Sequence, residues 1–159
     1  MIHIRQATVQ DVPIVLPLVA EYWNFEGLSG FQTQLVASQL ERLFSEPSLG
    51  VGWIAWSSES TVGYLLAVFV FSLEDLGITA EIDEFFVRPE YRGNGVGTKL
   101  LAVAEAEMLR VGCTSVSLHL ARRNDSARAF YRQHDYIERD RFELLEKRIV
   151  TNDGKRSES

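Results

Sequence analysis

The sequence predicts an α/β (α+β) protein of one domain, and three observations predict it. The run Ile82–Val87 reads as a strand that enters a glycine-rich loop, a helix and a further strand, the order of a strand–helix–strand unit. Val51–Trp56 and Thr61–Phe71 flank the polar turn Ser57–Ser60 and read as a hairpin. Helical periodicities precede that hairpin. The chain has 159 residues and 46% of them are apolar, enough for one core. The expected domain spans residues 1–150, followed by a polar tail, 151–159, of the composition that stays disordered.

Taken in order, Ile2–Arg5 is a short strand. Thr8 and Asp11 are both N-cap residues for the helix that follows, because their side-chain oxygens accept from first-turn amides. Val12, Val15, Leu18, Val19 and Tyr22 recur at helical spacing, with Pro17 inside the pattern as a kink. Residues 21–30 close the helix and mix aromatics with carboxylates. Two readings stand there: Tyr22 and Phe25 anchor the helix end, or Tyr22 and Glu26 line a wall that meets a cationic ligand. A second helix runs from Gln32 to Ser45, with Val36, Leu40, Leu43 and Phe44 on one face. In the hairpin, Trp53 and Trp56 have odd and even parity and so face opposite sides of the sheet; Gly63 marks a bulge.

Pro89 ends the strand Ile82–Val87 by removing a ladder donor. Gly93, Gly95 and Gly97 then alternate with Asn94 and Val96, and an apolar helix begins at once. Glycine accepts positive φ and has no side chain to block a ligand, so the loop can turn its amides toward one point. The helix N-terminus adds partial positive charge. The combination suits a phosphate or pyrophosphate. A P-loop is excluded because Gly97-Thr98-Lys99 stands in the wrong order. A dinucleotide fingerprint fails because Thr98 stands where its third glycine belongs.

The helix extends to Val111, with Leu101, Ala104, Met108 and Val111 as an inner stripe flanked by Leu100 and Val103, and Gly112 as its C-terminal glycine. Ser115–Ala121 alternates as a strand, parallel to the one before the loop. Asn124 opens a short helix to Arg132 in which Ala127 and Phe130 share a face and Tyr131 is offset by about 100°. Asp135 follows where a helix ordinarily takes glycine. Phe142–Val150 makes a last strand.

Arg92-Gly93-Asn94-Gly95-Val96-Gly97 fits the pattern [QR]-x-x-G-x-[GA] directly after a strand ending in Val-x-Pro, and Asn124-x-x-Ala127-x-x-Phe130-Tyr131 follows downstream. On these residues the chain resembles the GNAT family of acyl-CoA-dependent N-acetyltransferases, and the likeness covers nearly its whole length. The resemblance implies a mixed, mostly antiparallel sheet of about seven strands with splayed parallel strands 4 and 5, flanked by about four helices. It implies acetyl-CoA (coenzyme A) as cofactor, held by the Phe85, Phe86 and Val87 edge, by Arg92, Gly93, Asn94, Gly95, Val96, Gly97 and Thr98, and by Asn124, Ala127, Phe130 and Tyr131. Homodimers are common in that family. The departure is Asp135-Tyr136, where the family ends the short helix in Gly-Phe.

The implied reaction is acetyl transfer to a primary amine, by direct attack in a ternary complex. An alkyl ammonium with pKa near ~10.4 has no lone pair and must lose a proton, and the departing thiolate benefits from an acid. Tyr131 matches the family's acid. Asp83 and Glu84 compete as base; as neighbours they point to opposite faces of the strand, so only one faces the acceptor directly. Position 83 is acidic in the family's aminoglycoside- and polyamine-type members, so Asp83 ranks first. Glu81 shares parity with Asp83 and matches the base of histone-type members, so it stays in play as a base and as a substrate contact. The other reading of these acids is a salt bridge to Arg88 or Arg92. His119 is either a relay at the acceptor or a packed strand histidine. A non-catalytic acyl-CoA-binding or sensing module is the alternative from another class; it would keep the cofactor site and lack the acceptor site.

Composition narrows the partners. The formal net charge of −6 argues against nucleic acid and is compatible with a small cationic amine. No apolar run reaches the ~18 residues a membrane span needs. Cys113 is the only cysteine, which excludes an internal disulfide and fits a reducing compartment. Met1–Arg5 carries no basic-then-apolar leader, so the expected location is the cytoplasm. No His/Cys/Asp cluster has metal-ligand spacing, so no metal is expected.

Overall fold

The structure is a computed structural model that describes residues 1–149. The chain divides into two compact units, Met1–Leu118 and a second that starts at His119.

The first unit holds β1 (Ile2–Gln6), α1 (Val12–Phe25), α2 (Thr33–Ser45), β2 (Gly50–Ser57), β3 (Ser60–Ser72), β4 (Gly77–Val87), α3 (Val96–Arg110) and β5 (Val116–Leu118). The strands lie in sequence order in one sheet. The β1–β2, β2–β3 and β3–β4 pairs are antiparallel, and β4–β5 is parallel. The parallel pair has α3 as its crossover, as the strand–helix–strand reading requires. The second unit contains α4 (Asp125–Gln133).

Thr8 and Asp11 act together rather than as rival caps. Thr8 opens a single 3-10 turn, and Asp11 accepts from its N–H at 2.7 Å and its hydroxyl at 3.0 Å. Arg5 closes the cluster with two guanidinium contacts of 2.7 Å to Asp11. That fixes the entry of α1. Its residues Val12, Val15, Leu18 and Val19 pack with Leu40 of α2 against Ile54, Tyr64, Leu66 and Phe86 of the sheet. Val36, Leu43 and Phe44 support the same core, as their spacing predicts. Trp53, Leu65 and Ala67 have the opposite parity and are buried on the other face, and α3 packs on β2 and β3. Trp53 and Trp56 do face opposite sides: Trp56 packs against the α1–α2 core. Val62, beside Gly63, is the extra residue of a bulge in β3, between the pairs Ala55↔Gly63 and Trp56↔Thr61.

Several boundaries differ from the sequence reading. The α3 stripe is Val96, Leu100, Leu101, Ala104 and Met108, while Val103 and Val111 are about two-fifths exposed. Strand β5 is three residues long, shorter than Ser115–Ala121. The expected sheet of about seven strands is corrected to five among the described residues. Of the expected last strand, residues 142–149 are irregular, with Phe142, Leu144, Leu145 and Ile149 exposed; Val150 and the expected tail lie outside the described residues. The physical reason is that a strand exists only through a neighbour that pairs with it, and apolar residues in a short segment supply no neighbour. Among the described residues no helix is long and apolar enough to cross a membrane.

Candidate functional site

In the first unit the site is built on β4. The pairing Leu66↔Glu84 is followed by Ala67↔Ile82, so Asp83 is the extra residue of a β-bulge. Bulges re-aim side chains and recur beside active sites. The bulge also changes which carboxylates share a face. Leu66 and Val68 are two apart on β3 and face one side; their partners are Glu84 and Glu81. Glu81 therefore lies on the side of Glu84, and the simple parity that grouped it with Asp83 fails because an inserted residue breaks the period of two.

That side is the α1–α2 face. Glu84 is half-buried and accepts from the indole N–H of Trp23 at 2.9 Å and from the hydroxyl of Tyr64 at 3.0 Å. Tyr64 has no exposed surface. Burial, and then the negative charge of Glu84, push its phenol far above its ordinary value, so it stays a proton donor. Asp83 is exposed. Tyr22 lies edge-on to Tyr64 and Phe86, with centroids 6.3 and 6.0 Å apart, which supports the packing reading of Tyr22. Glu26 is the C-cap of α1, its N–H donating to Tyr22 O at 2.9 Å. Arg88 pairs with Glu21, Nε to Oε2 at 2.9 Å and Nη2 to Oε1 at 2.6 Å, and Nη1 donates to Thr61 O at 2.8 Å.

The glycine loop follows β4. The parallel ladder ends at Ile82↔Leu118, whereas β4 continues to Val87, so the two strands part before the loop. Gly93 and Gly95 have φ of +75° and +78°, and a Cβ on either would meet no atom within 4 Å. Backbone conformation alone reserves these positions for glycine. Gly95 is the N-cap of α3, and its carbonyl accepts from Lys99 N at 3.0 Å. The amides of Val96, Gly97 and Thr98 precede the first bond inside the helix, so no carbonyl of α3 receives them. Asn94 Nδ2 donates to Arg92 O at 3.4 Å. Arg92 turns back instead: its Nε donates to Val87 O at 2.7 Å, and its guanidinium lies 4.5 Å from the ring centre of Phe25 and 5.5 Å from that of Phe86. Phe85 is half-buried, Phe86 and Val87 buried.

In the second unit, His119 is exposed and follows β5, so the packed strand histidine is not found. Asn124 caps α4, its Oδ1 accepting from Ala127 N at 3.1 Å. Ala127, Phe130 and Tyr131 are all half-buried. The Phe130 and Tyr131 rings meet edge to face at 5.4 Å. Asp135 ends the helix at φ +66°. Its N–H donates to Arg132 O at 3.2 Å and that of Tyr136 to Tyr131 O at 3.0 Å, the two bonds of a Schellman cap. The Tyr131 and Tyr136 rings are 5.3 Å apart.

Sequence reasoning missed Trp23 and Tyr64. A signal existed: a tyrosine inside the apolar run Val62–Ala67 needs a partner for its hydroxyl, and Glu84 is one of the acids, with Glu81 and Asp83, in the facing strand.

Comparison with known proteins bears on both units. Residues 16–136 match the Acetyltransferase (GNAT) family. An uncharacterized N-acetyltransferase of Archaeoglobus fulgidus is 30% identical over 84% of this chain and 91% of its own length. The spermidine N(1)-acetyltransferase of Thermoplasma acidophilum is 23% identical over 85% of this chain and 88% of its own. The crystal structure of an aminoglycoside N-acetyltransferase in complex with CoA matches the fold with a TM-score of 0.81 at 18% identity, covering 93% of this chain and 95% of that one. A bulged strand, a left-handed glycine loop and a helix N-terminus in immediate succession, within a family match spanning most of the chain, lead to one assignment: this chain belongs to the GNAT family of acetyltransferases.

Proposed function

We propose that this chain transfers the acetyl group of acetyl-CoA to a primary amine, by direct attack within a ternary complex. The observation that carries the reading is the pair of left-handed glycines that lead into α3 in the loop after β4. The residues present fit coenzyme A. Open space over Gly93 and Gly95, and first-turn amides that α3 does not use, suit a pyrophosphate. Gly93–Thr98 would hold that group, and the backbone of Phe85–Val87 would pair with pantetheine amides by strand addition. In the second unit, Asn124, Ala127, Phe130 and Tyr131 are the family-matched positions for the pantetheine arm. When bound, acetyl-CoA supplies an acyl group activated as a thioester.

The chain's own residues would manage two protons. Tyr131 is the proposed donor to the departing sulfur, since a phenol is protonated at neutral pH. Asp83 is the proposed acceptor of the amine's proton, through a water because a carboxylate is a weak base toward an ammonium. Its exposure at the bulge favours it over Glu84, whose oxygens receive Trp23 and Tyr64. A relative that bears the name of a spermidine acetyltransferase supports a small cationic amine as acceptor.

The test is thiol release from acetyl-CoA across polyamines, aminoglycosides, amino acids and peptide N-termini. Release with at least one amine class is expected. Tight acetyl-CoA binding with no release from any class would replace this reading with that of a binding module.

A further inference from the structure

The last turns of α1 meet the segment between β4 and the glycine loop at two points. Glu21 and Phe25 stand four residues apart on one face of the helix. Glu21 receives Arg88, and Phe25 receives Arg92. The two arginines are held by different chemistry. The Arg88 charge is matched by the Glu21 carboxylate at 2.6 Å. The partners of Arg92 among the described residues are neutral: its Nε donates to Val87 O at 2.7 Å, and its guanidinium faces the rings of Phe25 and Phe86. A ring face attracts a guanidinium through its quadrupole and does not cancel the charge. Phe86 is buried in the core, whereas Phe25 is 53% exposed and its ring touches Arg92 and Phe86. Arg92 stands one residue before Gly93, where the left-handed loop begins. A positive charge kept there adds to the field of the first-turn amides of α3 and favours an anion in the loop.

We propose that Phe25 is a positioning residue for the cofactor: its ring holds the Arg92 guanidinium beside the glycine loop without neutralising it, and so strengthens binding of the pyrophosphate of coenzyme A. The proposal rests on the cofactor reading above and deepens it. Arg92 supplies the charge, and Phe25 acts through it. A carboxylate at position 25 would hold the same guanidinium, as Glu21 holds Arg88, and would cancel its charge. That contrast separates the placing of a charge from the bracing of a loop.

The experiment is calorimetric binding of coenzyme A to the wild-type chain and to Phe25→Tyr, Phe25→Leu and Phe25→Glu, each also made in an Arg92→Gln background, with Tm as the check on folding. Phe25→Tyr keeps a ring face and should retain the wild-type affinity. Phe25→Leu keeps apolar bulk without the ring and should bind about fivefold more weakly, the scale of one exposed cation–π contact. Phe25→Glu should bind more weakly still. In the Arg92→Gln background Phe25→Leu should add no further loss. The KM for acetyl-CoA should rise with the Kd, and kcat should fall by less. A Phe25→Leu affinity equal to the wild type, a Phe25→Glu affinity equal to that of Phe25→Tyr, or an undiminished loss in the Arg92→Gln background would overturn the proposal. A wild type that does not bind coenzyme A defeats the cofactor reading and this inference with it; binding that is indifferent to position 25 defeats this inference alone.

Discussion

Replacing Asp11 by asparagine tests how the N-terminal strand is tied to α1. Asp11 is 4% exposed and receives four hydrogen bonds, two from Arg5 and two from Thr8. The Arg5 guanidinium first, and then the Thr8 donors against the penalty of burial, hold its carboxyl at about 2, below the ordinary 3.8. At ~1.4 kcal/mol per pH unit this corresponds to about 2 kcal/mol. The Arg5 side chain is half exposed, so water screens the pair and about 1–2 kcal/mol is the working figure. The folded-state pKa lies below the unfolded one. The stabilisation is therefore complete above about pH 4 and is lost as pH falls through about 2. Urea unfolding at pH 7 should show Asp11→Asn less stable by about 1–2 kcal/mol, or roughly 3–8 °C in Tm for a chain of this size. At pH 2 the gap should shrink to well under half. Equal stability at pH 7, or a gap undiminished at pH 2, would refute this account of the Arg5–Asp11–Thr8 cluster.

Further predictions concern the cap, the loop and the acid. Asp135→Gly should raise stability by about 0.5–1 kcal/mol, since Asp135 holds φ +66° where Gly112 ends α3 at φ +92° with the same pair of bonds; a fall in Tm would contradict the strain argument. Gly95→Ala should cost about 1–2 kcal/mol of stability through its backbone alone, because a Cβ there meets nothing, and should weaken acetyl-CoA binding; calorimetry with an unchanged affinity would remove the loop from the proposed pyrophosphate site. Tyr131→Phe should lower kcat about ten- to a hundredfold and leave acetyl-CoA affinity nearly unchanged, and an unaffected kcat would remove Tyr131 as the acid.

What the sequence revealed was local, and what it hid was relational. The glycine loop could be read because positive φ is a property of one residue, and Gly93 and Gly95 adopt it. The left-handed position at Asp135 was legible for the same reason. The α1–α2 core followed from helical spacing. The bulge at Asp83 was hidden because it arises only when β3 and β4 are paired, and it moved Glu81 to the face of Glu84. The Trp23–Glu84–Tyr64 contact joins residues 61 and 20 positions apart, a juxtaposition set by topology rather than by any pattern within a strand or helix. Residues 142–149 carry the apolar residues a strand could use, yet such residues record a preference for a half-buried surface and do not create a partner.

The central claim is acetyl transfer from acetyl-CoA to an amine, and the most direct measurement is its stoichiometry. Acetyl-CoA and a 1,4-diaminobutane acceptor are incubated with the wild-type chain while free thiol and the mass of the amine are followed together. The account predicts one acetylated amine for each thiol released, with initial-rate lines that intersect, as a ternary complex requires. Thiol release without an acetylated amine would contradict it, and parallel lines would contradict direct attack.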